Sequence, residues 1–163
     1  MKSKIIIVDE NDQIIGSKPR ELITTTDIYR VSALWLKNTK NKFLLAQRSL
    51  NKKNDPGKWG PAVAGTVEVE ETYENNIIKE AEEELGLKNF VFTLGPKLRK
   101  KGLHNHFTQW YVLTLDQKIS DFTIQREEVE KIKWFTLSEF SKMYQDDPNN
   151  FLGSMDEYVK LFN

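Results

Sequence analysis

The chain contains no cysteine, which removes disulfides, thiolate metal ligands and a cysteine nucleophile together. That absence agrees with a reducing compartment. There is also no surplus of either charge, since 24 Lys plus Arg balance 24 Asp plus Glu. No global field therefore draws in a nucleic acid polymer or an acidic membrane, and local patches must do any electrostatic work. Long apolar runs are missing as well. Ile5-Ile6-Ile7-Val8 is followed at once by Asp9, too short a run for a signal-peptide core and far short of a membrane span. The expectation is a cytoplasmic protein with no membrane partner. What is present is ordinary for a soluble globular domain: 163 residues, 39% apolar and 29% charged, enough to bury a real core.

Strand and turn signals come first along the chain. Residues 5–8 read as a strand, and Glu10-Asn11-Asp12 supplies turn chemistry before a second short strand near 13–15, an N-terminal hairpin over about 3–18. Residues 19–22 can add a helical turn. Residues 29–36 and 43–48 are β-rich and joined by a polar stretch, a second hairpin candidate. Asp55-Pro56-Gly57 makes 51–58 a loop, and 62–67 reads as a short strand broken by Gly65. Further strands are expected at 90–94, 107–115 and 131–135. Ser138 is expected to cap a helix over 139–144, and a last helix spans 156–162. With no repeat or linker, the order of elements predicts one α+β domain over 1–163, a mixed sheet packed between helices.

The clearest helix covers 72–85. Thr72 can N-cap it, Glu74 sits in its first turn, and Gly86 stands where a left-handed residue ends a helix. Glu80, Glu83 and Glu84 share one sector at about 100° per residue. Ile77, Ile78, Ala81 and Leu85 fall on the neighbouring sector and should bind the helix to the sheet, with Glu82 turned to solvent. A Glu-rich stripe is usually only a solvated face. Three crowded carboxylates nevertheless repel, and a hard dication held by oxygen ligands would offset that repulsion.

The flanking pattern changes the weighting. Gly65, five residues, Glu71, seven residues, then Lys79-Glu80-Ala81-Glu82-Glu83-Glu84-Leu85-Gly86-Leu87 resembles the signature box of the Nudix hydrolases: Gly, five residues, Glu, seven residues, Arg-Glu-aliphatic-x-Glu-Glu-x-Gly-aliphatic. All spacings agree. Lys79 replaces the usual Arg, and Ala81 is smaller than the usual aliphatic residue. Pro56-Gly57-Lys58-Trp59 resembles the segment that precedes the box, and Glu128-Val129 with Trp134 resembles an element near the family's last strand. The opening Val8-Asp9-Glu10 through Gly16, with Tyr29-Arg30, is similar to the branch that includes isopentenyl diphosphate isomerases.

The resemblance implies an α/β/α Nudix fold and Mg²⁺, replaceable by Mn²⁺, held by Glu80, Glu83 and Glu84 with the Gly65 carbonyl as a further ligand. It implies hydrolysis of a diphosphate linkage in a small molecule of nucleoside-diphosphate type, water attacking phosphorus. Glu83 is the first candidate for base or bridging ligand and Glu128 the second. Glu71 and Lys79 would support the box, although Glu71 also suits a helix N-terminus for its charge alone, and lysine lacks the planar fork of arginine.

Outside the box the signals weaken. Arg30 and Arg48 are candidate phosphate ligands, with surface ion pairing as the equal alternative. Trp59, Phe107 and Trp110 could stack on a base, with Trp110 kept as a substrate-binding candidate, though core packing is the commoner role. Lys97, Arg99, Lys100, Lys101, His104 and His106 read as a solvated turn before they read as a phosphate site, and two histidines alone make a weak metal site. Two other functions compete. The isomerase chemistry of the related branch needs a Cys, which is absent, and a His where Tyr29 stands. A non-catalytic nucleotide-binding module has no need of three crowded carboxylates. A homodimer is the alternative to a monomer.

Overall fold

The computed structural model describes residues 3–163 and is organised around a ten-residue spine, β3 (Ile28–Lys37). One edge of β3 runs parallel to β8 (His106–Thr114) over Tyr29 to Lys37. The other edge is shared in succession by three antiparallel strands: β1 (Lys4–Val8), then β6 (Val63–Thr66), then β4 (Phe43–Arg48). The sheet is completed by β2 (Ile14–Pro19) on β1, β5 (Trp59–Pro61) and β9 (Val129–Phe135) on β4, and β7 (Thr93–Lys100) on β8.

Strand alternation sends successive side chains of β3 to opposite faces. Leu34 and Leu36 meet Ile77, Ala81 and Leu85 of α1 (Tyr73–Leu85) on one face. Ala33 and Trp35 meet Phe140, Met155 and Val159 of α2 (Leu137–Asp146) and α3 (Met155–Phe162) on the other. Each fully buried Leu or Ile contributes roughly 1.5–3 kcal/mol, so the two cores clamp the helices on either side. The result is the expected α+β architecture, a mixed sheet between helices. Met1 and Lys2, the first residues of the expected 1–163 domain, fall outside the described residues.

Several local expectations are corrected. The strand expected at 90–94 runs instead from Thr93 to Lys100, because Phe90 and Phe92 pack on the α1 core from a loop. The basic stretch is thus largely strand rather than turn. The second helix is capped by Thr136, not Ser138: Thr136 accepts from Glu139 N at 3.1 Å and Glu139 reaches back to Thr136 N at 2.8 Å, a reciprocal box that outcompetes a lone serine. Gly65 does not break its strand but pairs in register with Ser32. On α1, Ile78 is exposed and Asn76 is fully buried in its place. Thr72 and Gly86 cap α1 as expected, Gly86 with φ +68°.

The N-terminal hairpin is locked to the rest of the sheet by Asp12 at its turn. Arg30 Nε and Lys97 Nζ donate to the Asp12 carboxylate at 2.7 and 2.5 Å, and the Tyr73 hydroxyl of α1 donates at 3.1 Å. Arg99 pairs with Glu10 on the same turn. Burial by itself would raise the Asp12 carboxyl, but Lys97 and Arg30 more than offset it and hold it below the ordinary carboxylate range. Its folded pKa lies below its unfolded one, so its contribution is present above about pH 4 and is lost as pH falls through the folded value. Asp12→Asn, which leaves two cations facing each other, should cost about 2–3 kcal/mol, the lower end for a broken buried pair because Lys97 is partly exposed. Urea denaturation at pH 7 and at pH 3 should show that difference shrinking on acidification; an unchanged gap would rule the account out.

Candidate active site

Because Ile77, Ala81 and Leu85 fix one face of α1 on the sheet, Glu80, Glu83 and Glu84 are carried to its rim beside β6. A cleft of about 530 Å³ opens there, shared by these three glutamates, Glu68, which pairs with Arg20, Glu128 from the segment before β9, and the cations Arg20, Arg48, Lys52 and Lys79. Its floor is the β6 backbone. A Cβ placed on Gly65 would lie 2.5 Å from Glu80 Cγ and 2.9 Å from Glu80 Oε1, so the strand and the carboxylate meet only because this residue has no side chain.

Glu80, Glu83, Glu84 and Glu128 are not equivalent. Glu83 is exposed. Glu128 is engaged by Lys52 at 2.5 Å. Glu80 has burial working against its charge, and Glu83 and Glu71 add repulsion. Lys79, 3.6 Å away, does not fully offset them, and the carboxyl is raised above its usual range. Glu84 is the least compensated. Burial first, then the charges of Glu80 and Glu128, push it up to about 8, and among the described residues no donor hydrogen-bonds its carboxylate.

Behind the cleft stands a supporting layer. Lys79 Nζ donates to Glu71 Oε1 at 2.6 Å. Glu71 Oε2 accepts from Glu68 N and from Asn76 Nδ2, both at 2.9 Å. Burial alone would raise Glu71, yet Lys79, the Glu68 amide and Asn76 together hold it below its usual range. Lysine thus reaches both Glu71 and Glu80 with one point charge, where a guanidinium would offer a separate nitrogen to each.

Of the residues singled out in the sequence, Gly65, Lys79, Glu80, Glu83, Glu84, Glu128 and Arg48 line this cleft, and Glu71 braces it. Arg48 donates Nε and Nη2 to the Asn54 carbonyl at 3.1 and 3.0 Å, which fixes the guanidinium without neutralising it. Arg30 is elsewhere. Its guanidinium is held by Asp12 and lies over the Tyr73 ring, so it is placed as a structural ion pair rather than as a phosphate ligand. Trp110 is almost fully buried, packed on Tyr158 and Phe162, and borders a second cleft of about 430 Å³. That cleft adjoins the first through Arg20, Arg48, Ala64 and Thr66, and its walls include Tyr29, Val31, His106 and Met155. His104 and His106 both border it, and burial, then nearby Lys100, lowers His106 to about 4 and keeps it neutral. Trp59 is core.

Sequence reasoning missed Arg20, Lys52 and Asn76. Lys52 meets a partner 76 residues away, and no local pattern announces such a contact. Asn76 did carry a signal: a polar residue interrupting the apolar sector of an amphipathic helix.

The donor set fits a hard divalent cation. Among the described residues no three acidic or histidine side chains are gathered to hold a metal ion, so the three-carboxylate cage expected from the helix spacing is not formed; mutual repulsion keeps the carboxylates apart. Mg²⁺ asks for less, one or two carboxylates completed by water and substrate oxygens. Glu84 without a donor, and Glu80 seated in the space that a Gly65 Cβ would fill, supply that set.

A sheet between helices with a glutamate-lined cleft at the rim of α1 is a known architecture, and comparisons with known proteins give its family. The NUDIX domain family model matches residues 28–153. The chain belongs to the Nudix hydrolase family. It is 29% identical to a Methanosarcina mazei protein named prenyl-diphosphate phosphatase, over 95% of this chain and 92% of that one. It is 32% identical to Nudix hydrolase 3 of Arabidopsis thaliana over 90% of its own length, but spans only 21% of the plant protein. Proteins named isopentenyl-diphosphate Delta-isomerase match over about half of the chain; that of Klebsiella pneumoniae is 34% identical over 52% of it. In fold, a Deinococcus radiodurans crystal structure superposes with a TM-score of 0.83 at 21% identity, covering 96% of this chain and 97% of that one. The NUDIX domain of Shewanella oneidensis NrtR, solved with ADP ribose, gives 0.64 at 15% identity, covering 88% and 89%.

Proposed function

We propose that this chain hydrolyses a diphosphate linkage in a small-molecule substrate, with Mg²⁺ held at Glu80, Glu84 and the Gly65 carbonyl and with Glu83 beside them. The observation that carries the reading is Glu84, a carboxylate pushed up to about 8 with no donor among the described residues, next to Glu80 in a cleft that also holds Arg20, Arg48, Lys52 and Lys79. When bound, the cation would neutralise diphosphate charge and make a bound water a better nucleophile at neutral pH. The remaining work belongs to the chain. Arg48, anchored on Asn54 and paired with no acid among the described residues, would orient phosphoryl oxygens at the boundary between the two clefts. Arg20 stands at the same boundary. Glu83, exposed on the cleft wall, would accept the proton of the attacking water; Glu128 would do so only after releasing Lys52. The adjoining cleft would hold the organic group that the diphosphate carries, a nucleoside among the candidates, and exclude water from it.

The test is a screen over ADP-ribose, NADH, dinucleoside polyphosphates and isoprenoid diphosphates, with Mg²⁺ and with EDTA. Mg²⁺-dependent release of phosphate or a monophosphate is expected for at least one, and Mg²⁺ at a hundred times its dissociation constant should stabilise the fold by about 2.7 kcal/mol. Formation of an allylic isomer from isopentenyl diphosphate would replace hydrolysis by isomerisation. Tight nucleotide binding without turnover would replace it by a binding module.

A further inference from the structure

The polar residue that interrupts the apolar face of α1 has a defined place. Asn76 and Ser32 are both fully buried, one on the helix and one at the middle of the central strand. The Ser32 hydroxyl donates to Asn76 Oδ1. Asn76 Nδ2 then donates to Glu71 Oε2 at 2.9 Å and to the carbonyl of Thr66 at 3.3 Å. Thr66 follows Gly65 on β6, Gly65 pairs in register with Ser32, and Glu71 continues through Lys79 to Glu80. One amide therefore joins the spine of the sheet, the strand that carries the proposed carbonyl ligand, and the carboxylate that braces Lys79.

Packing alone would not require it. Apolar contacts are non-directional, and Ile77, Ala81 and Leu85 would hold α1 on the sheet while tolerating small rotations and slides. Asparagine is moreover a poorer helix former than leucine, and a buried amide is costly unless every partner is in place. A directed bond supplies what packing lacks, a fixed height and rotation of the helix relative to β6. The contact between Gly65 and Glu80 is sensitive to both, since a single added carbon would close it.

We infer that Asn76, held by Ser32, is a positioning residue for the acidic cleft: it sets α1 against β6 so that Glu80 and Glu84 converge with the Gly65 carbonyl on one cation. The inference rests on the proposed metal site. It assigns the tether no contact with metal or substrate.

The double variant Ser32→Ala/Asn76→Leu removes the hydroxyl and the amide together and replaces them by apolar groups. Glu71 and the Thr66 carbonyl lose the amide donor, but Glu71 keeps the Glu68 amide and Lys79, so the change in stability should be small. Mn²⁺ binding, followed by electron paramagnetic resonance of the free ion, is the readout, with melting temperature alongside. The expected result is a folded protein, melting within about 3 °C of wild type, whose Mn²⁺ dissociation constant is raised at least ~10-fold, the scale of a lost supporting contact behind a metal ligand. Ile77→Val, a packing change on the same helix, should leave that constant unaltered. Ser32→Thr, which keeps the hydroxyl, should stay within about twofold of wild type if the bond matters. Wild-type Mn²⁺ affinity in the double variant overturns the inference. Should that variant not fold, Ser32→Ala against Ser32→Thr decides: weakening with alanine alone upholds the tether, and equal affinities overturn it. A wild-type protein that binds no Mn²⁺ at all overturns the metal site itself, and the tether with it.

Discussion

Glu84→Gln is expected to abolish Mg²⁺-dependent turnover, by ~10³-fold or more given the several kcal/mol that a bound metal supplies to such a transition state, and at the same time to raise the melting temperature of the metal-free protein. The two effects share one cause. Glu84 is half-buried beside Glu80 and Glu128, with no donor on its carboxylate among the described residues, so in the absence of a cation folding must either bury its charge or take up a proton, and either costs stability. Glutamine keeps the shape and removes the charge. If the relief is about 1 kcal/mol, the melting temperature in EDTA should rise by roughly 2–4 °C, and the added stability that Mg²⁺ confers on wild type should largely disappear. Glu83→Gln provides the contrast. Glu83 is exposed, so its replacement should also cost turnover but give no such rise. Calorimetry in EDTA and in Mg²⁺, with single-turnover kinetics on the best substrate, separates the two. A Glu84→Gln protein that melts lower than wild type, or turns over normally, would show that this carboxylate does not hold the ion.

That contrast between neighbouring glutamates also marks how far the sequence could be read. The spacing of Glu80, Glu83 and Glu84 put them on one side of a helix because helical geometry is local and regular, and Thr72 and Gly86 bounded that helix for the same reason. What periodicity could not grade was the environment of each acid. Burial of Glu84, exposure of Glu83 and capture of Glu128 by Lys52 depend on where β6 and the segments before β5 and β9 arrive, and those are contacts between distant parts of the chain. Arg30 makes the same point from the other side. Its place on a strand next to Tyr29 was legible, but the partner that claims its charge, Asp12, belongs to a turn 18 residues earlier, on a hairpin folded back along the sheet edge. Asn76 holds the buried place expected of Ile78 because the average face of a helix does not show which polar residue will find three partners inside. The strand expected at 90–94 moved for a related reason: Phe90 and Phe92 are strand formers by propensity, yet burying their rings on α1 outweighed pairing their backbone.

Gly65→Ala gives the sharpest separation between fold and function. Gly65 is not in the left-handed region, so alanine meets no backbone strain there, and relief of unfolded-state entropy favours alanine by about 0.4–1 kcal/mol. The three atoms nearest the added Cβ all belong to the Glu80 side chain, with Cγ at 2.5 Å. A glutamate can turn away by changing rotamer, whereas the strand backbone, paired with Ser32, cannot retreat. Glu80 should therefore be the part that moves, carrying its carboxylate away from Glu84 and from the Gly65 carbonyl. The expected protein melts within a few degrees of wild type and yet loses ~10²-fold in turnover, the penalty of a misplaced group at a reacting centre, with Mg²⁺ affinity reduced in parallel. Gly16→Ala, where an added carbon meets nothing within 4 Å, is the matched control and should leave both quantities alone. If Gly65→Ala instead melts far lower while its remaining folded fraction turns over normally, the glycine serves only the strand, and Glu80 does not need its place against β6.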